Sequence, residues 1–142
     1  MIKNILVLCT GNSCRSQIAH GYLEHFIDSI NIKVYSAGVE THGVNPKAIA
    51  TMKVDAIDIS NHTSNNIEEY FSVDFDFVIT VCDNAKERCP IFPTKAKKFH
   101  YNFPDPTKAT GKKEEINEEF RRVRQLIKEY CEEFVKENLP TK

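Results

Sequence analysis

The chain has 142 residues, of which 41% are apolar and 27% charged. That is one domain's length with a globular composition, and such a chain buries about 70% of its unfolded surface without disulfide or metal staples. Nineteen basic residues against 20 acidic ones leave a net charge of −1, which argues against a general binder of nucleic acid or anionic membrane.

In chain order, the opening MIKNILVLC holds an apolar run too short for an export signal, and nothing approaches a membrane span. A cytoplasmic location is therefore expected. Ile5-Leu6-Val7-Leu8 reads as a strand buried on both faces of a parallel sheet. Gly11-Asn12-Ser13 punctuates the chain, and Ile18, Tyr22, Phe26 and Ile30 then recur every four residues, predicting an amphipathic helix. Ile32 to Tyr35 alternates like a second strand. Asn45-Pro46 supplies an N-cap with proline at the first helical position, opening a helix through Ala48, Ile49 and Met52. Thr63 or Ser64 is a candidate cap for a short helix toward Tyr70. Phe75 to Val81 and Phe99 to Tyr101 read as strands. Ile116, Phe120, Val123, Ile127, Tyr130 and Phe134 mark a long closing helix with Pro140 beyond it. The alternation predicts an α/β domain over residues 1–142: an open four-stranded parallel sheet in order 2-1-3-4 with helices on both faces.

Cys9 ends the first strand and Arg15 opens the helix that follows, with Thr10, Gly11, Asn12, Ser13 and Cys14 between them and Ser16 just after. A loop of this kind points backbone N–H groups at one tetrahedral oxyanion, aided by the positive end of the helix. Gly11 permits a tight turn, Asn12 tolerates the left-handed region, and Arg15 can grip two oxygens with its planar fork. The same field should lower the acid constant of Cys9, with Ser13 and Ser16 as donors to its sulfur, making Cys9 the candidate nucleophile.

Five cysteines (Cys9, Cys14, Cys82, Cys89, Cys131) without an export signal point to thiols with catalytic, metal-binding or redox roles, and the absence of a C-x-x-C pair makes metal the weaker reading. Cys82 ends the third strand, which adjoins the first in the predicted order. Cys9 and Cys82 thus emerge at the sheet edge where open α/β folds bind ligands. Cys89 follows seven residues later; on a helix that spacing is about 10 Å, so bridging the two requires the segment to deform. Three thiols in sequence allow a relay: the first forms an adduct, a second attacks the first sulfur and leaves an electron pair on the bound element, and a third moves the disulfide elsewhere. Water attack on the adduct would instead be phosphatase chemistry. Asp105, between Pro104 and Pro106, should return to the same edge and could protonate a leaving oxygen. Cys82 and Cys89 as packed thiols, and Asp105 as a turn residue, remain open readings. Cys131, beside the closing helix's apolar stripe, reads as packing.

C-T-G-N-S-C-R-S over Cys9 to Ser16 resembles the anion loop of low-molecular-weight protein tyrosine phosphatases and of the arsenate reductases that share their fold. Three further stretches favour the reductase branch: YSAGVETHGVNPKA from Tyr35, DISNHTS from Asp58 and VITVCDNAKERCP from Val78. The resemblance implies a thioredoxin-coupled arsenate reductase serving arsenic detoxification, a monomer with no tightly bound cofactor. Cys9 would form the thiol–arsenate adduct, with Arg15 and the amides of Thr10 to Cys14 holding the oxygens, and phosphate or sulfate as analogues. Ser16 would keep Cys9 ionised and Asp105 would be the general acid. Cys82 would attack Cys9 and release arsenite. Cys89 would then capture Cys82, and thioredoxin, or a glutaredoxin in its place, would reduce the Cys82–Cys89 bond. Some relatives bind potassium through Asn12, Ser36, Thr63 and two carboxylates. His20 and Asn65 stand at those carboxylate positions here, so no strong potassium activation is expected. The rival readings are a tyrosine phosphatase, whose usual adjacent aromatics are replaced by Pro106-Thr107-Lys108, and a thiol sensor that does not turn over. Weak hydrolysis of a small aryl phosphate is expected from the same loop.

Overall fold

In the computed structural model, which describes residues 3–28, 30–83 and 90–139, the opening apolar run forms β1 (Lys3–Cys9). It is central in a parallel sheet with β2 (Ile32–Gly38), β3 (Phe77–Thr80) and β4 (Lys97–His100), in the order β2-β1-β3-β4. Successive side chains of a strand face opposite ways. Ile5, Val7 and Cys9 accordingly join one buried cluster, while Leu6 and Leu8 join another. A strand buried on both faces needs no polar alternation, which is why β1 is a continuous apolar run.

The first cluster is closed by α1 (Arg15–Phe26), α2 (Pro46–Val54) and α3 (Lys113–Asn138), through residues such as Ile18, Tyr22, Met52, Phe120, Val123, Ile127 and Phe134. Asn45 caps α2 by accepting from the Lys47 N–H at 2.8 Å, with Pro46 at the first helical position as predicted. Along α3 the buried residues form one stripe, while Glu118–Arg121 and Glu119–Arg122 pairs lie on the solvent side. The opposite sheet face is covered by a 3-10 turn at Ile67–Tyr70 together with Phe75 and Phe92.

Two sequence expectations are corrected. Ile30 does not extend the stripe of α1: the helix ends at Phe26, and Ile30 is 98% exposed. The chain has to turn there to run beside β1, and Lys3 N–H takes the Asn31 carbonyl at 2.8 Å to begin the pairing. Neither Thr63 nor Ser64 caps the short helix. Asn66 does, in a capping box with Glu69, and the helix is a single 3-10 turn. The Ser64 hydroxyl is instead a donor to the loop after β1. Cys89, the Asp83–Arg88 stretch beyond Asp83, and Pro140 lie outside the described residues.

Candidate active site

The helix that follows β1 begins with three polar residues, Arg15, Ser16 and Gln17, all buried. Buried polar groups need partners, and these supply the frame of a cavity of about 480 Å³ at the carboxyl edge of the sheet, lined by Cys9, Gly11, Ser13, Cys14, Arg15, Asp83 and Asp105 among others. The first turn of α1 contains no acidic residue, and Cys14 at its N-cap makes no side-chain cap. The positive end of the helix therefore faces the cavity without an internal counter-charge.

The loop is held from behind by its carbonyls. Thr10 O accepts from Glu40 N at 3.0 Å, Gly11 O from His42 N at 3.2 Å, and Ser13 O from Asn45 N at 2.8 Å. Asn12 O accepts from Gln17 Nε2 at 3.1 Å and from the Ser64 hydroxyl at 2.9 Å. In a trans peptide the next N–H points the other way. Tying these carbonyls outward thus turns the N–H groups of Gly11, Ser13 and Cys14 toward the cavity those residues line. Asn12 adopts φ 47°, and its amide locks the turn by donating to Ser16 Oγ at 2.8 Å and accepting from Asn65 N at 2.7 Å. Gly38 lets β2 press against this loop: a Cβ there would lie 2.6 Å from Thr10 O and 2.8 Å from Cys9 O.

Arg15 Nη1 donates to Phe103 O at 3.1 Å, and Nη2 lies 3.7 Å from Asp105 Oδ2. Both contacts orient the guanidinium over the loop. Asp105 serves two roles at once. Its Oδ1 caps the turn at Pro106–Lys108 by accepting from Thr107 N at 3.0 Å and Thr107 Oγ1 at 2.6 Å, while Oδ2 faces Arg15 and the cavity. Turn residue and site carboxylate are therefore compatible readings of one side chain.

The thiols differ in state. Cys9, Cys14 and Cys131 are buried thiols that form no disulfide. Burial, reinforced by Asp105 and Cys9 against the opposing pull of Arg15, pushes the Cys14 thiol far up, so it stays protonated. Burial alone does the same to Cys131, whose Sγ approaches Ala19 O at 3.7 Å in the core, in agreement with a packing role. Cys82 is fully buried and disulfide-bonded. The β1–β3 register pairs Leu8 with Thr80 and continues through Val81 N to Leu8 O at 3.0 Å, so Cys9 and Cys82 leave the sheet at one edge.

The oxygens expected around a potassium ion are engaged elsewhere. Ser36 Oγ meets His20 Nδ1 at 2.9 Å, Thr63 Oγ1 donates to Asn65 Oδ1 at 2.8 Å, Asn65 Nδ2 donates to Glu69 at 3.2 Å, and Asn12 Oδ1 is taken by Asn65 N. That donor set contains no carboxylate, which weakens it for a hard cation. Next to it, His20, Glu24 and His62 converge, and hydrogen bonding from His20 and then His62 holds the Glu24 carboxyl down to about 2. Sequence reasoning missed this cluster and the braces from Gln17 and Ser64. The one local signal was a glutamine one residue past the anion loop, in the first turn of the helix.

Residues 4–142 match the family model described as low molecular weight phosphotyrosine protein phosphatase, and the chain belongs to that family. An arsenate reductase of Bacillus subtilis (strain 168) is 46% identical over 132 residues, 93% of this chain and 94% of the relative. An arsenate reductase of Staphylococcus aureus (strain N315) is 49% identical over 132 residues, 93% and 95% of the two chains. The solved structure of an arsenate reductase in the phosphate binding state is 32% identical, covers 96% of this chain and 98% of its own, and superposes with a TM-score of 0.77. Within the family, this chain falls among arsenate reductases with cysteine-based redox chemistry. Its cavity is built for a small oxyanion, and no helix among the described residues is long and apolar enough to cross a membrane.

Proposed function

We propose that the chain reduces arsenate to arsenite through Cys9, Cys82 and Cys89 and is returned to its starting state by thioredoxin. The observation that carries this reading is a Cys9 thiol, outside any disulfide, in a braced oxyanion loop, together with a disulfide-bonded Cys82 at the same sheet edge. A phosphatase needs the first of these and has no use for the second.

Cys9 Sγ, as thiolate, attacks arsenic, and an oxygen leaves as water after protonation by Asp105. Arg15 and the loop amides hold the remaining oxygens, and the Ser16 hydroxyl helps keep Cys9 ionised. Cys82 Sγ then attacks Cys9 Sγ: the S–S bond forms, the S–As bond breaks, and its electron pair stays on arsenic, which leaves as arsenite. Cys89 attacks Cys82, Cys9 departs as thiolate, and a dithiol partner of the thioredoxin class reduces the last disulfide by exchange. Cys14, held protonated by burial, does not compete. The reaction needs no resident metal and one chain suffices, in a compartment that keeps a thioredoxin reduced.

The decisive measurement is arsenate-dependent NADPH oxidation with thioredoxin and thioredoxin reductase, repeated with glutaredoxin and glutathione. Cys82→Ser should reduce arsenate turnover to background while hydrolysis of a small aryl phosphate survives. Persistent reduction in that variant overturns the relay.

A further inference from the structure

On the face of α1 away from the oxyanion cavity, His20 and Glu24 lie one helical turn apart, and His62 reaches them from the loop before the 3-10 turn. Glu24 Oε1 is 3.6 Å from His20 Nε2 and 3.3 Å from His62 Nε2, and all three ligand atoms lie within 4.8 Å of one another. The two imidazoles tilt across each other with centroids 4.4 Å apart. We infer that His20, Glu24 and His62 form a binding site for a divalent transition ion of the zinc class.

The donor atoms are set for this by their outer partners. Gln17 Nε2 donates to two backbone carbonyls, Asn12 O at 3.1 Å and Thr63 O at 2.9 Å. Its Oε1 is therefore the atom that meets His62 Nδ1 at 3.0 Å, and it can only accept. His62 thus donates from Nδ1, which leaves Nε2 as the atom turned toward the Glu24 carboxylate. His20 likewise has an oxygen partner at Nδ1, Ser36 Oγ at 2.9 Å, and turns Nε2 toward Glu24. Two imidazole Nε2 atoms and a carboxylate oxygen thus face one point, which is the donor set of a metal site when the rings are neutral. An oxygen partner on the far nitrogen is also how metal-bound histidines are oriented.

Geometry and chemistry select the ion. Metal–ligand bonds of about 2.0–2.2 Å in a tetrahedron put neighbouring donors about 3.3–3.6 Å apart, as found at both Glu24 edges. Two imidazoles and one carboxylate suit zinc, cobalt or nickel rather than potassium or magnesium. Glu24 is half exposed while both rings are largely buried, leaving the fourth position to water. An ion here would pin α1 to the loop carrying Ser64 and Asn65, which brace the oxyanion cradle.

The test uses the full-length chain, labelled with nitrogen-15 and titrated with zinc chloride, reading the ring nitrogens of all five histidines by long-range proton–nitrogen correlation. Saturable shifts of Nε2 in His20 and His62 are expected, while Nδ1 of each remains protonated and His25, His42 and His100 stay put. Potassium at the same concentration should move none of them. Glu24→Gln should weaken zinc binding at least tenfold, and zinc should raise the Tm of the parent but not of a His20→Gln/His62→Gln variant. Cobalt should give no sulfur-to-metal absorption band. Rings that respond to protons alone, or a cobalt–thiolate band lost in Cys9→Ser, overturn the assignment. Reductase turnover is not a readout, so failure here leaves the redox proposal standing.

Discussion

The two sides of α1 are proposed to bind opposite charges by different means. On one side an oxyanion is met by backbone N–H groups and one guanidinium; on the other, a cation is met by three side chains. Gln17 sits between them, with its amide nitrogen on the anion loop and its amide oxygen on His62. Backbone amides cannot be mutated away, so the anion side depends on what holds the loop in shape, whereas the cation side depends directly on residue identity.

That contrast can be broken in graded steps. Arg15→Lys should cost most, lowering kcat/KM for both arsenate and aryl phosphate about 100-fold, because an ammonium cannot replace the planar fork held by Phe103 O and Asp105. Steady-state kinetics on both substrates checks it; a loss confined to arsenate would contradict it. Next comes Gly38→Ala. Its Cβ would meet two backbone oxygens at under 3.0 Å, so the loop must shift. A loss of about 1–3 kcal/mol in denaturant unfolding, with weaker phosphate binding, is expected.

Ser64→Ala removes one hydroxyl shared between Asn12 O at 2.9 Å and Gly11 O at 3.2 Å. It should cost about 0.5–1.5 kcal/mol and raise KM more than it lowers kcat, since the loop loosens while Cys9 and the relay remain. The smallest effect is expected at Asp55, which belongs to neither site. Hydrogen bonds from Lys128 at 2.9 Å and Tyr22 at 2.7 Å hold its carboxyl below the usual range. A carboxyl depressed in the folded state stabilises above its unfolded acid constant and loses that contribution as pH falls through the folded one. Asp55→Asn should therefore be less stable than the parent by about 1 kcal/mol at neutral pH. The gap should close as the pH drops below about 4, with turnover unchanged throughout. A gap that persisted in acid would mean packing, not charge, was lost.

Much of this was readable in advance where the cause is local. A strand buried on both faces writes itself as Ile5-Leu6-Val7-Leu8, and Asn45-Pro46 announces a helix start, because each depends on neighbours in the chain. The readings that failed were also local, applied where distant partners decide. Ile30 kept a four-residue period past the point where pairing of Lys3 with Asn31 forces a turn. Thr63 and Ser64 look like caps, yet the nearer Asn66 takes that role and Ser64 is drawn to carbonyls more than fifty residues away.

By sequence alone, the chain determined its strand–helix alternation, the oxyanion loop from Cys9 to Ser16, and the set of thiols available for a relay, since all three are written in contiguous residues or in their spacing. Only the tertiary structure decided which carbonyls turn outward, where Arg15 aims, and that His62 meets His20 and Glu24. Those outcomes depend on hydrogen bonds and packing between segments far apart in the chain, and no local pattern encodes where such segments meet.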